Sequence, residues 1–404
     1  MTPHAAQPEP DDEAAFLDEV RAFLDTHLSA DLREAGRRCA GIYCDRPVAQ
    51  RWLAILNQRG WAVPHWPVEW GGTGWSLRRR WLFARELALA DAPPITPNAT
   101  HMVAPVLFAF GREDQKRFYL PRIRSGEDWW AQGYSEPGAG SDLASLKCRA
   151  VRDGEGWVLN GSKLWTTHAQ FSNRIFCLVR TSTQGRPQEG ISFLLFDMDL
   201  PGISVRPIIT LSGEHEVNEV FFEDVRVPAS ALLGEENRGW TVAKYLLEHE
   251  RSTSYGPMLG VRLRRMLERA ARLPGDDGRP LAADPVMAGR LAEAGARLEV
   301  LDAAEARMLA AAEAGLPVGA LSSMMKVQGT ELRQHLTELA IEIEARHTTP
   351  FQDAAREAGS NTAPDAPIEG LIAMATYLND RAASIYAGSN EIQRTILAGR
   401  VLGL

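Results

Sequence analysis

A chain of 404 residues, 45% of them apolar, is long enough for two or three globular domains with their own cores. Its net charge of −8 argues against nucleic acid or an anionic membrane surface as a main partner. Four cysteines (Cys39, Cys44, Cys148 and Cys177) are too few and too scattered for a disulfide framework or a metal centre. No apolar run reaches the length of a membrane span, so a cytoplasmic protein with no metal and no membrane contact is expected.

The polar, acidic start up to about Asp12 reads as a frayed tail. Phe16, Leu17, Val20, Leu24 and Leu28 then follow helical spacing. A second helix carries Trp52, Leu53 and Leu56. A loop rich in Trp, Pro and Gly runs to Trp75; most of its tryptophans are expected in the core, the others at a cleft. Residues 78–89 and 103–110 read as further helices, closing an N-terminal helical domain over 1–127.

Across 128–240 the pattern turns to short strands punctuated by glycine, among them Val158, Ile175 to Val179, Ile191 to Phe196 and Val220 to Phe222. A small middle β-barrel or sandwich is predicted. Residues 241–404 return to helices with apolar stripes, expected over 285–314, 316–346 and from Ile368, in a four-helix bundle. Pro257 should kink or split the first of them.

Residues 132–167 stand out. In Gln132-Gly133-Tyr134-Ser135-Glu136-Pro137-Gly138-Ala139-Gly140-Ser141-Asp142, one proline and two glycines expose bare backbone N–H groups beside serine hydroxyls. No helix-forming run follows Gly140, so this is not a dinucleotide fingerprint; 143–158 reads as strand. Asn160-Gly161 is a strong hairpin signal, followed by Trp165, Thr166 and Thr167, an aromatic beside two hydroxyls that suits a planar cofactor.

These segments resemble the flavin-binding motifs of the acyl-CoA dehydrogenase family. The likeness continues, in the family's order, through Gly111-Arg112-Glu113-Asp114-Gln115, Phe222-Glu223-Asp224-Val225, Glu250-Arg251 and Gly388-Ser389-Asn390-Glu391-Ile392-Gln393-Arg394. The resemblance implies a mainly α fold: an N-terminal helical domain, a middle β-barrel and a C-terminal four-helix bundle. It implies FAD as cofactor and α,β-desaturation of an acyl-CoA thioester, with electrons passed to an electron-transfer flavoprotein. FAD contacts are implied for Tyr134, Ser135, Gly140, Ser141, Trp165, Thr167 (with Thr166 as its rival), Ser389 and Glu391. Substrate contacts are implied for Ser141, Ala387 and Gly388.

Many family members place the catalytic base in a Tyr-Glu-Gly motif, which here reads Tyr386-Ala387-Gly388. Alanine takes no proton, although its N–H can still bond the thioester oxygen. A minority branch uses a Glu immediately before an Arg on the helix after the β-domain, which matches Glu250 and Arg251. Glu250 is then the base and Arg251 holds its geometry. Glu248 and His249 are local rivals, each turned about 100° from its neighbour.

Homotetrameric members clamp a neighbour's FAD with Arg-x-x-Phe-Gly and Gln-x-x-Gly-Gly motifs. Here no Phe-Gly follows Arg269, and the second motif reads Glu342-Ile343-Glu344-Ala345-Arg346. A carboxylate repels a diphosphate, and without the glycines the backbone cannot approach it. The expectation is a heterotetramer with a homologous partner subunit, as in two-subunit members of the family. A homodimer or homotetramer with a divergent clamp is the alternative. An acyl-CoA oxidase or flavin monooxygenase, or a non-catalytic partner subunit, are the rival functions.

Overall fold

The computed structural model describes residues 10–154, 156–250, 254–316 and 318–404; the side chains of 10–12 and 248–250 also fall outside the description. The expected tail lies mostly outside the described residues, and the first helix begins at Pro10.

Six helices build the N-terminal region: α1 (Pro10–His27), α2 (Ala30–Arg38), α3 (Arg46–Arg59), α4 (Leu77–Leu89), α5 (Ala104–Phe110) and α6 (Glu113–Ser125). Local chemistry sets their ends. The Ser76 side chain accepts from Arg79 N–H at the start of α4, and Gly60 and Gly126, at φ 81° and 77°, close α3 and α6. A wide-turned helix, Asn98–Val103, leads into α5. Trp52, Trp61 and Trp66 are buried, and Trp61 and Trp75 meet edge-on with Phe83, so the tryptophan-rich loop closes the core.

The middle region is one eight-stranded sheet: β1 (Trp130–Gly133), β2 (Arg149–Asp153), β3 (Gly156–Thr167), β4 (Arg174–Arg180), β5 (Ile191–Asp197), β6 (Ile203–Ile208), β7 (Val217–Pro228) and β8 (Leu232–Leu233). The strand path β6-β7-β3-β2-β4-β5-β8 is open at both ends, with β1 added parallel to β4. One face packs under α5, α6 and the first helix of the bundle, and the other closes on itself around Trp157, Phe196 and Phe222.

Two expectations change here. Residues 143–158 are not one strand: a short 3-10 turn over Leu143–Ser145 precedes β2. Asn160-Gly161 is not a hairpin; the chain reverses between Asp153 and Gly156, and Asn160 lies inside β3. Gly161, at φ 144°, forms a bulge against β7, and a Cβ there would sit 2.7 Å from Cys148 Cα. The Asn160 side chain exchanges hydrogen bonds with Asp224 across the bulge, both at 3.0 Å.

The bundle comprises α7 (Gly239–Glu250), α8 (Gly256–Ala270), α9 (Pro285–Glu313), α10 (Leu321–Glu344), α11 (Asp353–Arg356), α12 (Ile368–Asp380) and α13 (Asn390–Leu397). Its core interleaves Leu259, Leu263 and Met266 of α8 with Leu291, Leu301 and Met308 of α9 and Leu332, Leu336 and Leu339 of α10. Pro257 opens α8, where its missing N–H costs nothing, so the expected break falls between α7 and α8. No described helix is long and apolar enough to cross a membrane.

Candidate active site

The loop after β1 is shaped from beneath by a buried ion pair. Glu136 accepts from Lys163 Nζ at 2.8 Å and from the N–H groups of Lys147 and Cys148 at 2.6 and 2.9 Å. Lys163 Nζ also donates to Tyr134 O, and Leu164 N–H to Ser135 O. Glu136 and Ala139 exchange backbone hydrogen bonds around Pro137-Gly138. The Tyr134 ring is a core anchor, edge-on to Phe176 and Phe193. Ser135 is half-buried, while Gly138, Gly140 and Ser141 are exposed; a Cβ on either glycine would meet nothing within 4 Å. The loop thus presents open backbone on a rigid base.

Trp165 owes its position to a second bulge in β3. Up to Lys163 the odd-numbered side chains face inward; the register then shifts against β7 between Lys163 and Thr166. Simple alternation would bury Trp165. Instead its backbone takes φ 59° and its indole is 58% exposed, while Thr166 is fully enclosed and Thr167 half-buried. Asn218 fastens the bulge, donating to Thr166 O at 3.1 Å and Gln170 Oε1 at 2.6 Å, with His215 Nε2 at 2.7 Å from its Oδ1. His168, at φ 55°, is buried; that burial, with His215 nearby, pulls its pKa down to about 4 and leaves it neutral. Thr166 Oγ1 and His168 Nδ1 are buried without a partner among the described residues.

A third segment comes from the bundle. Tyr386-Ala387-Gly388 forms a left-handed turn, with Ala387 at φ 55° and Gly388 at φ 80°. Asp380, at the end of α12, pairs with Arg262 of α8 at 3.0 Å and with Arg333 of α10, and Arg333 donates to the Tyr386 hydroxyl at 3.3 Å. Gln393 Nε2 donates to Gly388 O at 3.3 Å. Ser389 caps α13 by accepting from Ile392 N–H, so its hydroxyl is already engaged; Glu391 is exposed in the first turn. Glu216, just before β7, accepts from Ile42 N–H at 2.7 Å and Asn379 Nδ2 at 2.8 Å, joining all three regions at one carboxylate.

Glu250 is the last residue of α7, and its side chain, like those of Glu248 and His249, lies outside the described residues, as does Arg251 altogether. The next helix is firmly placed. Glu305 of α9 accepts from the N–H groups of Tyr255 and Gly256 and from Trp81 Nε1. A Cβ on Gly256 would sit 2.1 Å from Asp302 Oδ1, so a larger residue there would push that carboxylate aside. That oxygen is buried without a partner among the described residues, and burial, then Glu305, pushes the Asp302 pKa up to about 6. A carboxyl of unfolded pKa about 3.9 then binds its proton more tightly when folded, so stability falls as pH rises from about 4 through 6. Asp302→Asn should stabilise the protein by about 1 kcal/mol at about pH 8, after allowance for solvent screening, and by nothing below about pH 4. Thermal unfolding at the two pH values checks this; equal midpoints for the variant and the parent at the higher pH would contradict it.

The residues at the two expected clamp positions pair within this chain. Arg269 makes a two-point ion pair with Glu344, at 2.7 and 2.6 Å, and Glu342 pairs with Arg290. Ala345 sits at φ 44°, a backbone that glycine adopts more readily. The acid expected to repel a diphosphate, Glu342, is thus paired with Arg290, and Arg269 is neutralised by Glu344.

Sequence reasoning missed Glu136, Lys163, His168, Asn218 and the Asp380–Arg333 pair. The parity of β3 was the available signal for Lys163: it puts a lysine on the buried face, where it must have a partner.

Three sequence patterns match in series: the acyl-CoA dehydrogenase N-terminal domain over 10–127, middle domain over 131–225 and C-terminal domain over 237–402. The acyl-CoA dehydrogenase IpdE1 of Mycobacterium tuberculosis is 37% identical over 357 residues, covering 87% of each chain. A chain of the ChsE4-ChsE5 complex from Mycobacterium tuberculosis superimposes with a TM-score of 0.84 at 33% identity, over 98% of both chains. A chain of the Tcur3481-Tcur3483 steroid ACAD does so at 0.84 and 30%, again over 98% of both. The chain belongs to the acyl-CoA dehydrogenase family, and is a flavin-dependent oxidoreductase of that family.

Proposed function

We propose that this chain desaturates an acyl-CoA thioester between Cα and Cβ, using FAD, within a heteromer containing a homologous partner chain. The observation that carries the cofactor assignment is the exposed Trp165 indole, held out on a strained bulge beside the open 137–141 backbone. An aromatic this exposed, fixed at such conformational cost, suits a flat ligand with a polar rim. Trp165 would cover the ring, Thr167 would meet its polar edge, and Ser135, Gly140 and Ser141 would bond its rim and the pantetheine. When bound, the flavin supplies the hydride acceptor.

Glu250 takes the α-proton. The released pair becomes the new double bond as a hydride leaves Cβ, and Ala387 N–H, aimed by the Arg333–Tyr386 bond, steadies the charge on the thioester oxygen. Arg251 holds the geometry of the base, and the electrons pass on to an electron-transfer flavoprotein. Gly388 shapes the turn at the thioester. Ser389 and Glu391 act on the cofactor side by fixing the start of α13.

The heteromer rests on the Arg269–Glu344 and Arg290–Glu342 pairs, which leave this chain no free clamp at those positions for another copy's diphosphate. The ChsE4-ChsE5 complex and the Tcur3481-Tcur3483 steroid ACAD each name two proteins, which supports this reading. Purified alone, the chain should hold well below one flavin per copy, rising to stoichiometric occupancy on co-expression with a homologous chain that retains the clamp. Full occupancy and turnover by the lone chain would refute the heteromer. In the loaded assembly, anaerobic bleaching by acyl-CoA followed by slow reoxidation in air is expected; fast reoxidation would mark an oxidase.

A further inference from the structure

The proposed flavin edge and the thioester turn belong to different parts of the fold. Thr167 ends β3 of the sheet, and Tyr386-Ala387-Gly388 follows α12 of the bundle. One enclosed hydrogen bond spans the seam between them. Glu216 Oε2 accepts from Asn379 Nδ2 at 2.8 Å, and the two residues are 6% and 7% exposed. Nearby, Arg356 of α11 also reaches across, but less closely, at 3.4 Å from Ser212 O and 3.3 Å from Glu214.

Each end of the Glu216–Asn379 bond is tied to a part of the site. On the sheet side, Glu216 O accepts from His168 N–H at 3.0 Å, and the next residue, Val217, pairs with Thr167. The second carboxylate oxygen accepts from Ile42 N–H at 2.7 Å and Tyr43 N–H at 3.3 Å. The side chain therefore cannot swing away without stranding backbone donors. On the bundle side, Asn379 lies in the last turn of α12, next to Asp380. Gln334 Nε2 of α10 donates to Asp380 O at 3.0 Å and Arg381 O at 3.2 Å. Its neighbour Arg333 pairs with the Asp380 carboxylate and donates to the Tyr386 hydroxyl at 3.3 Å. Two adjacent residues of one helix thus hold both the end of α12 and the turn.

We propose that Glu216 and Asn379 are positioning residues for hydride transfer: their hydrogen bond sets the distance between the flavin edge at Thr167 and the thioester turn at Ala387. The proposal rests on the desaturation reading above. In that reaction the α-proton goes to Glu250 and the Cβ hydride to the flavin, and neither Glu216 nor Asn379 takes part in either transfer. Their role is geometric. Reacting atoms must be held about 3–3.5 Å apart, and a misplacement of about 1 Å costs roughly 100-fold. The seam between sheet and bundle is where such an error would enter, and this bond closes it.

The test reverses the polarity of the pair. Asn379→Asp keeps the side-chain shape and sets carboxylate against carboxylate. Adding Glu216→Gln supplies an amide that can still accept from Ile42 N–H and now donate across the seam. The probe is whichever acyl-CoA bleaches the parent fastest among straight, branched, dicarboxylic, aromatic and steroid forms. In the flavin-loaded assembly, anaerobic stopped-flow bleaching at saturating probe should slow roughly 10–100-fold in Asn379→Asp and return to within about 3-fold of the parent in the double variant. Flavin content and the half-saturating probe concentration should change little. Asn379→Ala, which drops the donor without adding charge, should slow bleaching too and serves if the Asp variant does not fold. Parent-rate bleaching in the single variants would overturn the proposal. So would a slowing that the double variant leaves in place, or a loss of flavin with no change in rate for the flavin retained. Hydrogen exchange at the amides of 381–388, measured without any acyl-CoA, reads the bond separately: it should quicken in Asn379→Asp and slow again in the double variant, and parent-like exchange in the single variant would also overturn the proposal. If no acyl-CoA bleaches the parent, the desaturation reading fails by itself, and exchange alone decides whether this bond holds the turn.

Discussion

Glu250→Gln should lower kcat by about 10²–10⁴-fold, the usual worth of a positioned general base, with flavin content and KM little changed. Position 387, where much of the family carries its base, is alanine, so the thioester turn can donate an N–H but cannot accept a proton. On the proposed reaction the α-proton then needs another acceptor, and α7 carries Glu250 as its last residue. Glu305 grips the start of the next helix at Gly256. On ideal helical geometry His249 and Glu248 are turned about 100° and 200° from Glu250, so only one of the three positions can serve. Exchange of the substrate's α-protons with heavy water separates proton removal from hydride transfer: it should vanish in Glu250→Gln and survive partly in Glu250→Asp. Exchange at the parent rate in the Gln variant would remove Glu250 from the mechanism, and parallel loss in Glu248→Gln would reassign it.

The elements legible in the sequence were those with a local cause. Helical periodicity from Phe16 to Leu28 and Pro257 at a helix start are visible because propensity and a missing N–H act over a few residues. The exposed loop was legible for the same reason, since Pro137, Gly138 and Gly140 act on their own backbone. What was not legible depends on partners far away in the chain. Asn160-Gly161 carries a hairpin's composition, but Cys148 and Asp224 turn it into a bulge inside a long strand. The second bulge, fastened by Asn218, reverses the parity of β3, so alternation alone would have buried Trp165 and exposed Thr166. The pairings of Arg269 with Glu344 and of Arg290 with Glu342 span 75 and 52 positions, and the second changes the meaning of an acid that, read alone, only repels.

Lys163→Met carries the largest expected cost in stability, about 3–5 kcal/mol, because it strands the buried Glu136 carboxylate without its cation. Two backbone N–H groups, from Lys147 and Cys148, would remain on that carboxylate, and these limit the damage. They do not supply the missing charge, and the Tyr134 carbonyl would lose its Nζ donor as well. The unfolding midpoint should fall by on the order of 10 °C. Adding Glu136→Gln to Lys163→Met removes the stranded charge and should restore a substantial part of the loss at neutral pH. The same pair holds the floor of the 134–142 loop, so Lys163→Met should also release flavin from the assembled protein at temperatures well below unfolding. A drop of less than about 1 kcal/mol would show that this ion pair is not what holds the loop in place.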